Sequence, residues 1–400
     1  MGSASRRHET ADLQSAMKKV LIEGWRGICQ SLAMANQYQV YELLKLQPSL
    51  SLCHRDLPYF SQRWAEPGNE PGFPLAMTKS IMDIPAPATE LYDTVYRIGY
   101  PFAKSRVRAK KVITFIVTEL GLSPASFAPE DTEAGSFCNG DDLVVTPSNW
   151  SRRQLLAYGF PPEKVRVIPH GVSSDFFYPL SKHEREAFRR DMDISDDHFV
   201  FLNLGALTLN KGAHLLIDAF CKLRQHYHHA RLVLKDSSGL YGTTALEVIE
   251  DHAKLNGPLP AEAANSIFIV PSSLSLSELR LLYGGSDAYV APYIAEGFNL
   301  PVIEAIACGT PAIVTDGGST DDFCDSTNSL KIRADLVANR DRDSSILGYH
   351  LDPHLGSLLE QMERAISGAI APAESFERGR RQLVQRFSWA AAARQLAELF

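Results

Sequence analysis

The chain has 400 residues, 45% hydrophobic and 22% charged, and a formal net charge of −7. Its length implies two or three domains, each large enough for a full core, and its acidic balance argues against a sequence-independent nucleic-acid binder, which carries a basic footprint. No apolar run approaches the ~18–20 residues that span a bilayer, and the six cysteines form no C-x-x-C pair, so neither a disulfide framework nor a zinc site is expected.

Residues 1–17 are polar, without the apolar stretch of a secretory signal, and are expected to be a disordered tail on a cytoplasmic protein. Short β-branched runs then alternate with longer amphipathic segments. Residues 20–23 read as a strand, 31–46 as a helix and 50–53 as a weaker strand. Residues 61–90 are rich in proline and glycine and read as a long surface excursion. The continuous apolar run 112–118, VITFIVT, has the pattern of a strand buried on both faces. A strand at 143–146, a helix at 150–158 and a strand at 165–168 follow.

The character changes across 170–192, which becomes highly charged, and a domain boundary is placed there. A second series follows, with strands at 199–204, 231–234, 267–270, 288–291 and 312–315. Helices at 213–225, 244–254, 276–283 and 302–308 separate them. This alternation implies two α/β domains, each a Rossmann-like, doubly wound parallel sheet, facing a cleft. The expected divisions are 18–175, 176–386 and a terminal helix over 387–400. Ligands in such sheets bind beyond the carboxyl ends of the strands.

The richest stretch is 293–322, YIAEGFNLPVIEAIACGTPAIVTDGGSTDD. Glu296 sits on a loop beyond a strand end, and Gly297 permits a tight turn. Pro301 suits the first turn of a helix that stops at Gly309. The free amides of Phe298, Asn299 and Leu300 would then form an anion site at a helix N-terminus. Glu304, one turn further in, can reach vicinal hydroxyls such as those of a ribose. A second element, FLNLGALTLNKG at 201–212, ends a strand at Gly205 and opens a helix with Lys211 and Gly212. A lysine there is electrostatically misplaced unless an anion is bound.

These segments resemble the family-4 retaining glycosyltransferases of GT-B fold. Glu296 and Glu304 match the two acids of the family's E-x(7)-E segment. The match runs on through Gly297-Phe298, Pro301, Ala305 and Cys308-Gly309-Thr310-Pro311. The segment 144–179, with His170-Gly171, resembles the family's interdomain passage. His170 is then a hinge residue or a base. The resemblance implies transfer of a sugar from a nucleotide-sugar with retention, without metal or cofactor. It implies a donor site of Gly205, Lys211, Glu296, Gly297, Phe298, Asn299, Leu300 and Glu304, with Glu296 and Lys211 nearest the chemistry. It also implies a terminal helix that returns to the N-terminal domain. Two departures stand out. Ala206 occupies the place of a usual arginine, and Glu119 lies where the family often has a histidine.

On the N-terminal side, the Gly24, Arg26 and Gly27 loop is expected to meet donor phosphate or acceptor, and Glu119 to face the cleft. Arg26 is a candidate to supply, from across the cleft, the cation missing at position 206. The cluster Lys104, Arg106, Arg108, Lys110 and Lys111 is either a site for anionic lipid at the inner face of a membrane or acceptor phosphate, or a solvated face. The resemblance implies a glycan, lipid-linked or protein acceptor. The alternatives are an epimerase or phosphorylase-like relative and a non-catalytic sugar-binding relative.

Overall fold

A computed structural model describes residues 17–46, 50–88, 91–270, 274–341 and 344–400. The expected tail therefore lies almost wholly outside the described residues. The first sheet holds β1 (Lys18–Gly24), β2 (Leu50–Asp56), β3 (Tyr92–Ile98), β4 (Ala109–Phe115), β5 (Leu143–Thr146) and β6 (Val165–Val167), in the order β2-β1-β3-β4-β5-β6. The second holds β7 (Phe199–Gly205), β8 (Ala230–Asp236), β9 (Ile267–Val270), β10 (Ala288–Ala291), β11 (Ala312–Thr315) and β12 (Ser329–Ile332), in the order β12-β11-β10-β7-β8-β9. Every pairing in both sheets is parallel. An antiparallel pair, β13 (Ala334–Arg340) and β14 (Ile346–Pro353), forms an arm that the sequence reading did not anticipate.

The helices are α1 (Ser31–Lys45), α2 (Leu75–Met82), α3 (Asn149–Tyr158), α4 (Lys182–Asp191), α5 (Ala213–Leu223), α6 (Ser238–Tyr241), α7 (Ala245–Asn256), α8 (Ala261–Ala264), α9 (Leu276–Gly285), α10 (Leu300–Ala307), α11 (Leu355–Ile366), α12 (Ala373–Arg386) and α13 (Trp389–Leu399). Because parallel sheets must be covered on both faces, one core packs α9 and α10 against the second sheet and another packs α5 and α11 on its opposite face. The strands' continuous apolar runs supply both. Chain order reverses between β7 and β10, so the loops after these two strands diverge and leave a crevice at their carboxyl ends.

Helix α13 crosses back to the first sheet. Trp389, Ala392, Ala393, Leu396 and Phe400 join the core of α1 and β1–β4. The Trp389 ring stacks on Tyr38 at 4.8 Å and 7°. The lysines Lys18 and Lys111 donate to the carbonyls of Phe400 and Leu399 at 3.0 and 2.8 Å, which neutralises the negative end of the helix.

Four of the five residues of the basic cluster have partners within the domain. Lys104 pairs with Asp142 at 2.5 Å, Arg106 with Asp131 at 2.9 Å and Lys110 with Asp93 at 2.7 Å, while Lys111 caps α13. Arg106 and Lys110 make these pairs at the surface, and Arg108 is exposed.

Candidate active site

The loop after β10 is held rigidly before α10 begins. The buried Tyr293 hydroxyl lies 3.1 Å from the Thr315 carbonyl and 2.8 Å from the Thr320 hydroxyl. Gly297 touches the opposite domain: a Cβ there would fall 2.3 Å from Val117. Its carbonyl accepts the Ser148 hydroxyl at 2.6 Å. Asn299 takes φ = 75° and turns the chain into α10, whose first turn contains Pro301. The helix therefore starts at Leu300, two residues earlier than the sequence pattern indicated. Among the described residues, the amides of Gly297, Phe298, Asn299 and Leu300 donate to no protein group. Free donors at the positive end of a helix are an anion-binding arrangement.

The loop after β7 brings a cation to the same place. Gly205 has φ = 149°, with open space where a side chain would lie. The chain then passes through a short 3₁₀ turn, Leu209–Lys211, to Gly212 at the start of α5. Gly212 has φ = 71°, and a Cβ there would fall 1.9 Å from the Pro292 carbonyl oxygen. Only glycine allows this approach between the two loops. The Asn210 carbonyl accepts the Ile294 amide at 2.8 Å and seals the junction.

Lys211 Nζ lies 2.8 Å from Glu296 Oε2 and 2.9 Å from Glu119 Oε1, while Asn210 Nδ2 donates to Glu119 Oε2 at 2.5 Å. Three chain segments, two from the second domain and one from the first, thus meet at one ammonium group. The lone, misplaced lysine expected from sequence is instead flanked by two carboxylates. These hold its ammonium well above the ordinary lysine range, so it stays charged. Burial raises the Glu296 carboxyl above the ordinary range, with Glu119 adding repulsion and Lys211 opposing both. Glu119 is the most open of the three side chains, 41% exposed against 21% for Lys211 and 11% for Glu296. It is therefore the partner a ligand could displace most easily.

Glu304 lies on α10 and accepts the Tyr283 hydroxyl at 2.8 Å. Burial pushes its carboxyl up to about 7. His170 packs against Phe115, Phe298 and Trp389 with ring centroids 5.2–5.5 Å away. Burial there depresses the imidazole to about 3. It sits as an uncharged ring where both domains and α13 meet.

The N-terminal loop departs from expectation in one respect. Arg26 does not reach across the cleft. Its guanidinium makes a bidentate pair with Asp56, 2.7 Å on both arms, and donates to the Ile81 carbonyl at 2.8 Å. In this arrangement it does not supply the cation missing at position 206. With Gly27, Asp56 and Tyr59 it lines an open pocket of about 350 Å³ on the first domain. Gly24 ends β1 where a Cβ would fall 2.7 Å from Asn36, and Gly27 has φ = 82°. Asn210 and Tyr283 carried no recognisable signal, because their partners lie 91 and 21 residues away. No cluster able to hold a metal ion, and no helix long and apolar enough to cross a membrane, occurs among the described residues.

Comparison with known proteins bears on this geometry. Residues 184–329 match the model of glycosyl transferases group 1, and residues 101–176 match that of Glycosyltransferase Family 4. The two matches together cover more than half of the chain. Mannosylfructose-phosphate synthase of Agrobacterium fabrum is 32% identical over 181 residues, 44% of this chain and 38% of that protein. Alpha-galactosylglucosyldiacylglycerol synthase of Streptococcus pneumoniae is 26% identical over 181 residues, 45% of this chain and 46% of that protein. Matches to the curated relatives described here thus span less than half of their lengths. Among solved structures, a glycosyltransferase from Rickettsia africae aligns with a TM-score of 0.67 at 15% identity, covering 96% of this chain and 97% of that one. Anabaena Alr3699/HepE in complex with UDP-glucose aligns at 0.63 and 15%, covering 95% and 98%. At such identities the structural likeness establishes the shared two-domain fold.

Proposed function

We propose that this chain, which belongs to the family-4 glycosyltransferases of GT-B fold, transfers a sugar from a nucleotide-sugar donor to an acceptor hydroxyl. The observation that carries this reading is the convergence of Lys211 with four unpaired amides at the start of α10. A diphosphate would satisfy both. As the anomeric C–O bond to phosphate breaks, negative charge grows on the leaving oxygen. Preorganised donors and a buried cation stabilise that charge without having to reorganise. Glu296 would hold donor sugar hydroxyls beside the reacting carbon, and Glu304 would take the ribose hydroxyls.

In this reading the acceptor oxygen forms the new bond to the anomeric carbon on the face the phosphate leaves, with retention. The acceptor proton passes to the departing phosphate oxygen. Protein donors do the work of charge neutralisation, so neither metal nor cofactor is required. Donor entry exchanges Glu119 for phosphate on Lys211. Domain contact would then exclude water and suppress hydrolysis. The acceptor is a glycan, lipid-linked sugar or protein, and the setting a cytoplasmic step of polysaccharide assembly. Relatives named for a diacylglycerol glycolipid and for a sugar phosphate support a hydroxyl acceptor without selecting among these.

The test is thermal unfolding against a panel of nucleotide-sugars. A donor at about 100 times its Kd stabilises the native state by about 2.7 kcal/mol. One base should stand out and its upward shift should saturate. No shift with any donor would refute the reading, and binding without turnover or slow hydrolysis would favour a non-catalytic relative.

A further inference from the structure

The Lys211 cluster alone is a poor anion site. One ammonium faces two carboxylates, so an ionised cluster is net negative, while the diphosphate of a nucleotide-sugar is itself doubly ionised. Arg26 is committed to Asp56, and position 206 is alanine. A further cation is needed at the carboxyl edge of the second sheet.

Lys235 is at that edge. It lies in β8, directly beside β7 in the register Leu204↔Lys235 and Gly205↔Asp236. Side chains alternate along β8: Leu232 and Leu234 enter the α5 core, whereas Val233 enters the core of α9 and α10. Two residues on, Lys235 projects from the α10 face of the sheet. It is only 8% exposed, yet among the described residues its ammonium makes no hydrogen bond or ion pair, and only its backbone is engaged, in the sheet. The neighbouring carboxylate, Asp236, makes no ion pair with it and is engaged by the Ser238 and Ala245 amides at 3.1 and 3.0 Å, although its charge still reaches Lys235.

Lys235 lies near the first domain's loop after β1. Its charge acts on the Cys29 thiol in the loop following β1. The Tyr241 hydroxyl in turn lies within electrostatic reach of Cys29, Lys211 and Glu119. A largely buried lysine with no directly paired counter-ion, whose ammonium burial disfavours, is unfavourable for the fold, and a position with that cost is best explained by an anion it receives.

We propose that Lys235 is the second cation of the donor diphosphate site, supplied from β8 and completing what Lys211 begins from the loop after β7. This rests on the nucleotide-sugar reading above. Calorimetric titration of the wild type with UDP, GDP, ADP and dTDP identifies the tightest diphosphate. That ligand and its parent nucleoside are then titrated into Lys235→Met, Lys235→Arg and Lys211→Ala, with unfolding midpoints measured in parallel. Lys235→Met should weaken the diphosphate ten- to hundredfold, as loss of a charge-assisted contact does. It should leave the nucleoside unchanged and should not lower the unfolding midpoint. Lys235→Arg should retain most of the diphosphate affinity. Wild-type diphosphate affinity in Lys235→Met, with Lys211→Ala weakened, would overturn the inference and leave the proposed function standing. A weakened Lys235→Met with a lowered midpoint and no recovery in Lys235→Arg would assign Lys235 to the fold and also overturn it. Absence of diphosphate binding by the wild type would remove both.

Discussion

Individual side chains in the cleft serve the fold poorly, which is the usual mark of groups held for a ligand. Burial lifts the Glu304 carboxyl from 4.5 to about 7. Between those values the folded state keeps a proton that the unfolded chain has released. The stability linked to that proton is therefore fully present below about pH 4.5 and lost as pH rises through 7. Glu304→Gln should thus unfold at a higher temperature than wild type at pH 8, with little difference near pH 5, while binding nucleoside diphosphate less tightly. A stability gain that is equal at both pH values would show that the carboxyl does not titrate in this range. Lys211→Ala should reduce kcat/KM by about ten- to hundredfold, the size of one lost charge-assisted contact. Steady-state kinetics on the donor found by thermal shift would measure it.

Elements position these groups through backbone features that side chains cannot replace. Gly212 sets the start of α5 against Pro292, so Gly212→Ala meets both an unfavourable φ and a carbonyl 1.9 Å from the new methyl. The variant should lose more than about 1 kcal/mol of stability, visible as a lower urea midpoint, and should bind diphosphate less tightly because Lys211 moves with the turn. Unchanged stability would mean that the close approach of the two loops is not maintained in solution. The β13–β14 arm fixes Glu119 indirectly. Its Leu347 carbonyl accepts the Leu122 amide at 3.0 Å, and Asn339 donates to the Leu120 carbonyl at 2.7 Å. Gly121 and Gly348 meet backbone to backbone, and a Cβ on Gly121 would fall 2.2 Å from the Leu347 oxygen. Gly121→Val should therefore detach the arm and speed its cleavage in limited proteolysis; cleavage at the wild-type rate would contradict this contact.

At the scale of the whole molecule, the sequence was legible where chemistry is local. The β-α alternation and the segment from Glu296 to Pro311 specify a strand, a sharp turn and a short helix from adjacent residues alone. By contrast, β3 was missed because it follows the Pro- and Gly-rich excursion and reads YDTVYRI, with polar residues breaking the apolar run. The β13–β14 arm was missed because consecutive residues of β13, Asp335, Leu336 and Val337, are all exposed, so no alternation of buried and exposed positions marks it. Tertiary pairing was invisible in principle. Nothing local distinguishes Arg26 bound to Asp56 from an arginine reaching over the cleft, and nothing near Glu119 announces a lysine 92 residues away. The same holds for Lys235, which reads in sequence as an ordinary strand-end lysine.

The central claim is that Glu296 and Lys211 form the reacting edge of a nucleotide-sugar site, and release of nucleoside diphosphate tests it most directly. Wild type and Glu296→Gln are incubated side by side with each nucleotide-sugar, with and without an acceptor mixture, and the diphosphate is quantified by mass spectrometry. The account predicts release from one donor by wild type, about 10²–10³-fold slower in the variant, with the unfolding midpoint of the variant preserved. Equal release by both proteins, or none from any donor, would contradict it.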